Sequence, residues 1–73
     1  MPIERMLREV AFDEDAVTVF STVYDDVVNA LCLEGRTHLA PETIARKVIK
    51  HARRNQQKPA TVREKVLREC RRN

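Results

Sequence analysis

The sequence has little of what usually dictates a particular fold or a chemical site. Its 73 residues include one glycine, no tryptophan, two phenylalanines, one tyrosine and two cysteines. A single glycine excludes a glycine-rich phosphate loop, and Cys32 and Cys70 lie too far apart for a Cys-x-x-Cys metal or redox motif. The sequence therefore excludes two common classes of functional motif.

Long apolar segments are also missing. The longest uncharged run, residues 16–24, covers nine residues, whereas a membrane-spanning helix needs about 20 predominantly apolar residues. Residues 1–9 lack an apolar stretch of signal-peptide length, and nothing else indicates a secreted, disulfide-bonded chain. We therefore expect a soluble cytoplasmic protein with reduced cysteines and no membrane contact.

The residues that could carry catalysis or bind a metal follow no recognised pattern. His38 and His51 have no Cys, His or carboxylate partner at a recurrent zinc-ligand spacing. Asp25 and Asp26 are adjacent, so on a helix they point about 100° apart and do not converge as a catalytic pair. We expect a solvated His38, a His51 at the edge between apolar and basic faces, no enzymatic activity and no cofactor or metal.

What the sequence does contain is mainly aliphatic and charged. Val, Leu, Ile and Ala supply most of the apolar volume, and 34% of the residues are charged, which favours a helical bundle over a sheet. Residues 1–35 carry two arginines against eight acidic residues, a net charge of −6. Residues 36–73 carry twelve basic residues against three acidic ones, a net charge of +9. Such asymmetry between the halves indicates an interaction surface.

The first two helices are predicted from apolar spacing and capping residues. A short amphipathic helix in residues 1–10 is indicated by the stripe Ile3, Met6, Leu7 and Val10. Asp13 can then cap a long helix that ends near residue 34, where Gly35 fits the left-handed position after a C-cap. The apolar half of this long helix consists of Ala16, Val17, Val19, Phe20, Val23, Tyr24, Val27, Val28, Ala30 and Leu31. So wide a face predicts a central helix that is packed on two sides.

Two further helices are predicted after residue 40. Pro41 suits the first turn of a helix over residues 41–54, with the apolar stripe Ile44, Ala45, Val48, Ile49 and Ala52. Residues 55–60 form a polar linker, and Thr61 with Glu64 matches a capping box that opens a helix over residues 62–71. The inward face of that last helix consists of Val62, Val66, Leu67 and Cys70. The predicted fold is all-α: a single domain, residues 1–73, with three main helices and an additional short N-terminal helix.

Basic side chains dominate the exposed faces of the last two predicted helices. The candidate binding surface consists of Arg46, Lys47, Lys50, Arg53, Arg54, Arg68, Arg71 and Arg72. Clustered cations of this density can neutralise several phosphates, and two helices with a linker suggest a helix-turn-helix. The predicted linker is longer than the usual three- or four-residue turn, and this half lacks aromatic residues for base stacking. A charged helix face is also typical of an ordinary solvated surface.

The order of these elements resembles that of a known group of proteins. The order is Ala11-Phe12-Asp13, a Val-rich helix that ends near Gly35-Arg36, then Pro41-Glu42 before an Ile-Ala-Arg-Lys-Val-Ile helix, and finally a short helix after a polar gap. It is similar to short helical proteins of unknown function from alphaproteobacteria over residues 11–70. The resemblance implies a small all-helical fold and no particular activity.

Two functions therefore remain open at the level of the sequence. We expect a protein–protein interaction or regulatory module whose partner is another protein or a second copy, as in a homodimer. The alternative is a nucleic-acid-binding accessory protein that uses the basic C-terminal half.

Overall fold

The computed structural model describes residues 2–36 and 39–72, and within these ranges the chain forms four helices and no strand. The helices are α1 (Pro2–Glu9), α2 (Glu14–Leu33), α3 (Pro41–Arg54) and α4 (Pro59–Arg72). They pack together, which confirms the all-α prediction and is consistent with three main helices and a short N-terminal one. The expectation for His38 lies outside the described residues.

α2 begins and ends at the residues that its sequence predicts. The carboxylate of Asp13 accepts a hydrogen bond from the backbone amide three residues later, at 2.8 Å. At the other end Gly35 has a φ of +72°, and the amides of Gly35 and Arg36 donate to the carbonyls of Cys32 and Leu31. These two bonds form a Schellman cap, which satisfies carbonyls that the helix leaves free.

α1 ends with the same cap, built on a less favourable residue. Ala11 has a φ of +67°, and the amides of Ala11 and Phe12 donate to the carbonyls of Arg8 and Leu7. A residue with a Cβ atom in this left-handed conformation costs roughly 1–2 kcal/mol, which glycine avoids. The ring of Phe12 packs against that of Phe20, with centroids 5.8 Å apart. The turn therefore places α1 against α2 at a cost in backbone strain.

α3 has the predicted bounds, whereas α4 begins earlier than predicted. The carbonyl of Lys58 accepts a hydrogen bond from the amide of Val62 at 3.1 Å, so the first turn of α4 starts at Pro59 and contains Thr61. The capping-box prediction for Thr61 and Glu64 is therefore wrong. Pro59 opens the helix instead, because its fixed φ suits the first helical position and it has no amide to satisfy. The connection between α3 and α4 shortens to residues 55–58.

The core lies where α2 meets the other three helices. The predicted inward residues of α3 and α4 are all buried, and so are Phe20, Val27 and Leu31 of α2. Val19, which the helical wheel placed on the apolar face, is 40% exposed. It is offset by about 100° from Phe20 around the helix, which puts it beyond the edge of the covered face.

α1 covers its own bundle. Ile3 and Leu7 are fully buried, Met6 is half-buried against the core, and Val10 is 40% exposed. α1 contacts α2 and α3, whereas the described residues of α1 and α4 share no contact. α1 and α4 therefore pack on different sides of the α2–α3 pair.

α2 is long and apolar enough to cross a membrane, judged by length and composition. The length of uncharged runs does not reveal this property, because Asp25 and Asp26 interrupt an otherwise apolar helix. The central helix of a packed bundle meets the same criterion, and six α2 side chains are buried in this bundle. The absence of membrane contact stays a prediction.

The two cysteines lie in contrasting environments. Cys32 is exposed near the end of α2, Cys70 is buried on α4, and both thiols are free. Burial raises the pKa of the Cys70 thiol, because the thiolate is poorly solvated there.

Candidate functional site

The eight predicted binding cations do not form one continuous surface. Four residues of α3 line a groove against α1: Arg46, Lys50, Arg53 and Arg54. Three residues of α4 line a separate groove against α2: Arg68, Arg71 and Arg72. The eighth, Lys47, lines neither groove and contacts α4. Because α1 and α4 do not touch among the described residues, the two grooves present separate surfaces.

The α1–α3 groove combines an apolar floor with a cationic rim. Its lining residues are Met6, Glu9, Val10, Arg46, Ile49, Lys50, Arg53 and Arg54. Ile49 is buried and Met6 half-buried, so they form the floor, while the four cations are exposed at the rim. The groove is open and holds about 700 Å³. Glu9 is paired with Arg5 of its own helix at 3.6 Å, which leaves the rim positive.

Lys47 belongs to a half-buried ion cluster between α3 and α4. One carboxylate oxygen of Glu69 lies 2.6 Å from Nε2 of His51, and the other accepts a hydrogen bond from Nζ of Lys47 at 3.3 Å. Burial by itself raises the pKa of Glu69, but the bonds from His51 and Lys47 outweigh it and hold that pKa below its ordinary value of 4.5. His51 lies at the boundary of the apolar face, as predicted, and Lys47 is committed to an internal contact.

Arg71 also has a partner inside the protein. Its Nε and Nη2 atoms donate to the carboxylate of Glu34 at 3.1 and 2.6 Å, which holds the pKa of Glu34 below its ordinary range. Arg36 pairs with Glu34 at 3.2 Å and donates to the carbonyl of Arg71 at 3.1 Å. The bidentate contact between Arg71 and Glu34 joins the C-terminal ends of α2 and α4.

The remaining cations divide into one paired residue and five others. Arg46 pairs with Glu42 one helical turn away at 2.7 Å, a solvent-exposed contact that contributes little to stability. Five cations have no carboxylate partner within the part of the chain that the structure describes: Lys50, Arg53, Arg54, Arg68 and Arg72. Three of these five line the α1–α3 groove. Among the predicted binding residues, the uncompensated cations therefore lie mostly in that groove.

The α2–α4 groove is less positive than its arginines suggest. Its lining residues are Ala30, Arg63, Glu64, Leu67, Arg68, Arg71 and Arg72, and it holds about 740 Å³. The charge of Arg71 is compensated by Glu34, and Glu64 adds a negative charge to the wall. Arg63, Arg68 and Arg72 are as many uncompensated cations as line the α1–α3 groove, but Glu64 lowers the net positive charge that they present.

A third, smaller groove is acidic. We call it the α2–linker groove, because it lies between the start of α2 and the α3–α4 connection. Its lining residues are Asp13, Asp15, Ala16, Val19, Phe20, Gln56, Gln57 and Pro59, and it holds about 320 Å³. Sequence reasoning assigned Asp13 to the cap of α2 and Val19 to the apolar face, and so missed this surface. The net charge of −6 over residues 1–35 was the available signal.

The other candidates for chemistry remain separate in space. Within residues 2–36 and 39–72, no three His, Cys, Asp or Glu side chains are grouped as they would be around a metal ion. Asp25 and Asp26 are exposed on α2. The charged grooves are therefore the remaining candidate sites, and each is suited to bind a surface of opposite charge.

Comparison with protein-family models, curated proteins and solved structures finds no match for this chain. The function of the protein is therefore inferred from the grooves themselves. Sequence reasoning found the cations of the α1–α3 groove but missed Met6, Val10 and Ile49 as the surface beside them. The apolar stripe of residues 1–10 was visible in the sequence, whereas its position against α3 required the fold.

Proposed function

We propose that the protein is a small cytoplasmic protein–protein interaction or regulatory module, and that the α1–α3 groove contacts its partner. The observation that carries this proposal is the apolar floor of Met6 and Ile49, together with exposed Val10, directly beside uncompensated cations. Protein interfaces combine an apolar centre with a polar rim and are enriched in arginine and methionine. No enzymatic activity is proposed, and the resemblance to alphaproteobacterial helical proteins stays a prediction.

The same groove is poorly suited to a nucleic-acid duplex. Phosphate contacts need cations that follow the backbone, and they gain nothing from apolar side chains such as Val10 and Ile49. Asp13 and Asp15, at the same end of the bundle, would repel phosphates. A protein segment with acidic and apolar residues matches both the floor and the rim.

The test compares two charge-and-apolar double variants in pull-downs from the native cell. The groove variant is Val10→Asp with Arg53→Glu, and the matched control is Leu33→Asp with Arg72→Glu, which are exposed positions outside the groove. We expect the wild type and the control to retain the same protein partner and the groove variant to lose it. Thermal unfolding of all three should be similar, because surface changes of this kind shift stability by about 0.5 kcal/mol or less. Equal retention by all three proteins would contradict the proposal.

Nucleic-acid binding remains the second candidate because of one correction to the predicted fold. The α3–α4 connection is four residues long, which lies within the usual range for a helix-turn-helix. On α4, Arg63, Arg68 and Arg72 are exposed and have no carboxylate partner among the described residues. These two observations favour α4 over α3 as the element that would contact a duplex.

The second candidate is tested by titrating duplex DNA and RNA at several salt concentrations. Binding through phosphates would weaken with a log–log slope near −0.9 per phosphate neutralised on duplex DNA. Two triple variants distinguish the two surfaces. The α3 variant is Arg46→Glu, Lys50→Glu, Arg53→Glu, and the α4 variant is Arg63→Glu, Arg68→Glu, Arg72→Glu. We expect no duplex binding by the wild type at physiological salt. Micromolar binding that the α4 variant loses and the α3 variant keeps would favour the second candidate.

A further inference from the structure

The α1–α3 groove and the α2–linker groove lie at the same end of the bundle. That end contains the two four-residue connections, residues 10–13 between α1 and α2 and residues 55–58 between α3 and α4. The α1–α3 groove uses the C-terminal part of α1 and of α3, and the α2–linker groove uses the first turns of α2 and the second connection. A positive and a negative surface therefore lie at one end of the bundle.

Each surface also carries an exposed valine. Val10 lines the positive groove and Val19 the negative one, and each is 40% exposed. Among the described residues the other exposed large apolar side chain is Leu33, which is 90% exposed and lies at the opposite end of α2. Two of three exposed large apolar residues thus lie in the two oppositely charged grooves.

This arrangement is self-complementary under a twofold rotation. In a twofold interface both copies use the same patch. If residue i of one copy contacts residue j of the other, then residue j of the first copy also contacts residue i of the second. An end of the bundle that presents both a positive and a negative surface satisfies this condition, because rotation can place each surface against the opposite one of the other copy. The contact would pair Lys50, Arg53 and Arg54 with Asp15 and bring Val10 towards Val19 of the other copy.

We propose that the occupant of the α1–α3 groove is the α2–linker surface of a second copy, in a twofold homodimer. This inference rests on the proposed interaction function and names the partner. Charge complementarity sets the register of the two copies, and the two valines become buried at the centre of each contact. The groove that would attract an acidic partner is thereby occupied by the acidic surface of the same protein.

The test uses two charge-reversal variants that should each be monomeric and should pair with one another. The positive-groove variant is Lys50→Glu with Arg53→Glu, and the negative-groove variant is Asp15→Lys with Gln57→Lys. Each variant places like charges against each other in both contacts of its own dimer. In a mixture both contacts are again between opposite charges, so a heterodimer should form. Leu33→Ser is the control, because Leu33 is exposed outside both grooves.

Solution mass is measured by sedimentation and native mass spectrometry, for a chain of 8.5 kDa. We expect dimers for the wild type and Leu33→Ser, monomers for each reversal variant alone, and a dimer for their mixture. The wild-type dimer should weaken between about 0.15 and 1 M salt, because salt screens exposed charges. Circular dichroism should show equal helix content, so that a monomeric mass reflects lost association and not unfolding.

Three results would overturn the proposal. The first is a wild type that stays monomeric up to about 100 µM, a concentration well above the dissociation constant of a micromolar dimer. The second is a pair of reversal variants that each remain dimeric, and the third is a mixture of them that stays monomeric. If the wild type is monomeric but the groove variant still loses a cellular protein in the pull-down, the interaction function stands with a different acidic partner. If the pull-down also shows no difference, both proposals fail.

Discussion

α1 and α4 pack against the same pair of helices from different sides, and they are attached in different ways. α4 has 14 residues, buries four apolar side chains and makes two carboxylate contacts with its neighbours, one through Glu69 and one through Arg71. α1 has eight residues and buries Ile3 and Leu7 completely. Its ion pairs are exposed, and its end is strained at Ala11.

The difference indicates which parts of the bundle separate first. Most of the stability of a short helix comes from tertiary packing, and eight residues form a marginal helix without it. Segments with few buried contacts open locally at lower free energy than the core. We therefore expect α1 to open before α4, and the α1–α3 groove requires a docked α1.

The largest expected effect tests the helix on which both α1 and α4 depend. Leu31→Ala should lower the free energy of unfolding by about 2–5 kcal/mol, because Leu31 is 1% exposed and the substitution leaves a cavity. Leu33→Ala, on the same helix at 90% exposure, should change it by less than about 0.5 kcal/mol. Denaturant unfolding measures both values. Equal effects would mean that the covered face of α2 is assigned to the wrong residues.

The second prediction separates local from global opening. Leu7→Ala removes one of two buried anchors and should lower the free energy that holds α1 in place by roughly 2–3 kcal/mol. Hydrogen exchange should then accelerate at the amides of α1 while the central amides of α2 keep their protection. Leu67→Ala, the matched change on α4, should accelerate exchange throughout the bundle. A uniform response to Leu7→Ala would show that α1 and the other helices unfold together.

The third prediction concerns the ion cluster that attaches α4 to α3. Glu69→Gln should cost about 1–2 kcal/mol at neutral pH, because two charge-assisted contacts at the edge of the core are weakened. Since the pKa of Glu69 is lowered by folding, this stability is present above pH 4.5 and is lost as the pH falls through the folded-state value.

Unfolding measured as a function of pH provides the check. The difference between the wild type and Glu69→Gln should disappear in acid. Glu42→Gln is the control. It removes the exposed ion pair between Glu42 and Arg46 within α3 and should cost about 0.5 kcal/mol or less. A Glu69→Gln variant as stable as the wild type at neutral pH would mean that this cluster does not contribute to the attachment of α4.

The smallest expected effect comes from substitutions in the two Schellman caps, at Ala11 after α1 and at Gly35 after α2. Ala11→Gly should stabilise the protein by about 0.5–1 kcal/mol, since relief of left-handed strain exceeds the added freedom of the unfolded chain. Gly35→Ala is the reciprocal change and should destabilise by about 1 kcal/mol, because a Cβ atom there meets no neighbour within 4 Å and backbone strain alone decides. Thermal unfolding distinguishes the two signs. A destabilising Ala11→Gly would show that the strain at Ala11 is negligible.

Local signals in the sequence predicted most of the fold. The stripes of α3 and α4 and the caps at Asp13 and Gly35 depend on neighbouring residues, and the structure confirms them. The start of α4 was missed because the Thr61–Glu64 pattern was preferred to Pro59, although the same rule for proline had been applied to Pro41. Val19 was misplaced because a helical wheel does not indicate where a covered face ends.

The candidate site was less predictable because it depends on contacts between distant residues. Counting cations placed Lys47 and Arg71 on a common basic surface. Their partners Glu69 and Glu34 lie 22 and 37 residues away in the sequence, so their compensation appears only once the helices pack. The grooves likewise require the docking of α1 and the position of the α3–α4 connection, neither of which periodicity specifies.

The contrast between the two cysteines gives the protein a built-in chemical reporter. A thiol reagent should modify exposed Cys32 at once, whereas buried Cys70 can react only when α4 moves away from the core. The labelling rate of Cys70, with Cys32 as an internal standard, therefore reports the openings of α4 in a chain without substitutions. Mass spectrometry resolves the singly and doubly labelled species, so the dwell time of α4 on the bundle can be followed without an engineered cysteine.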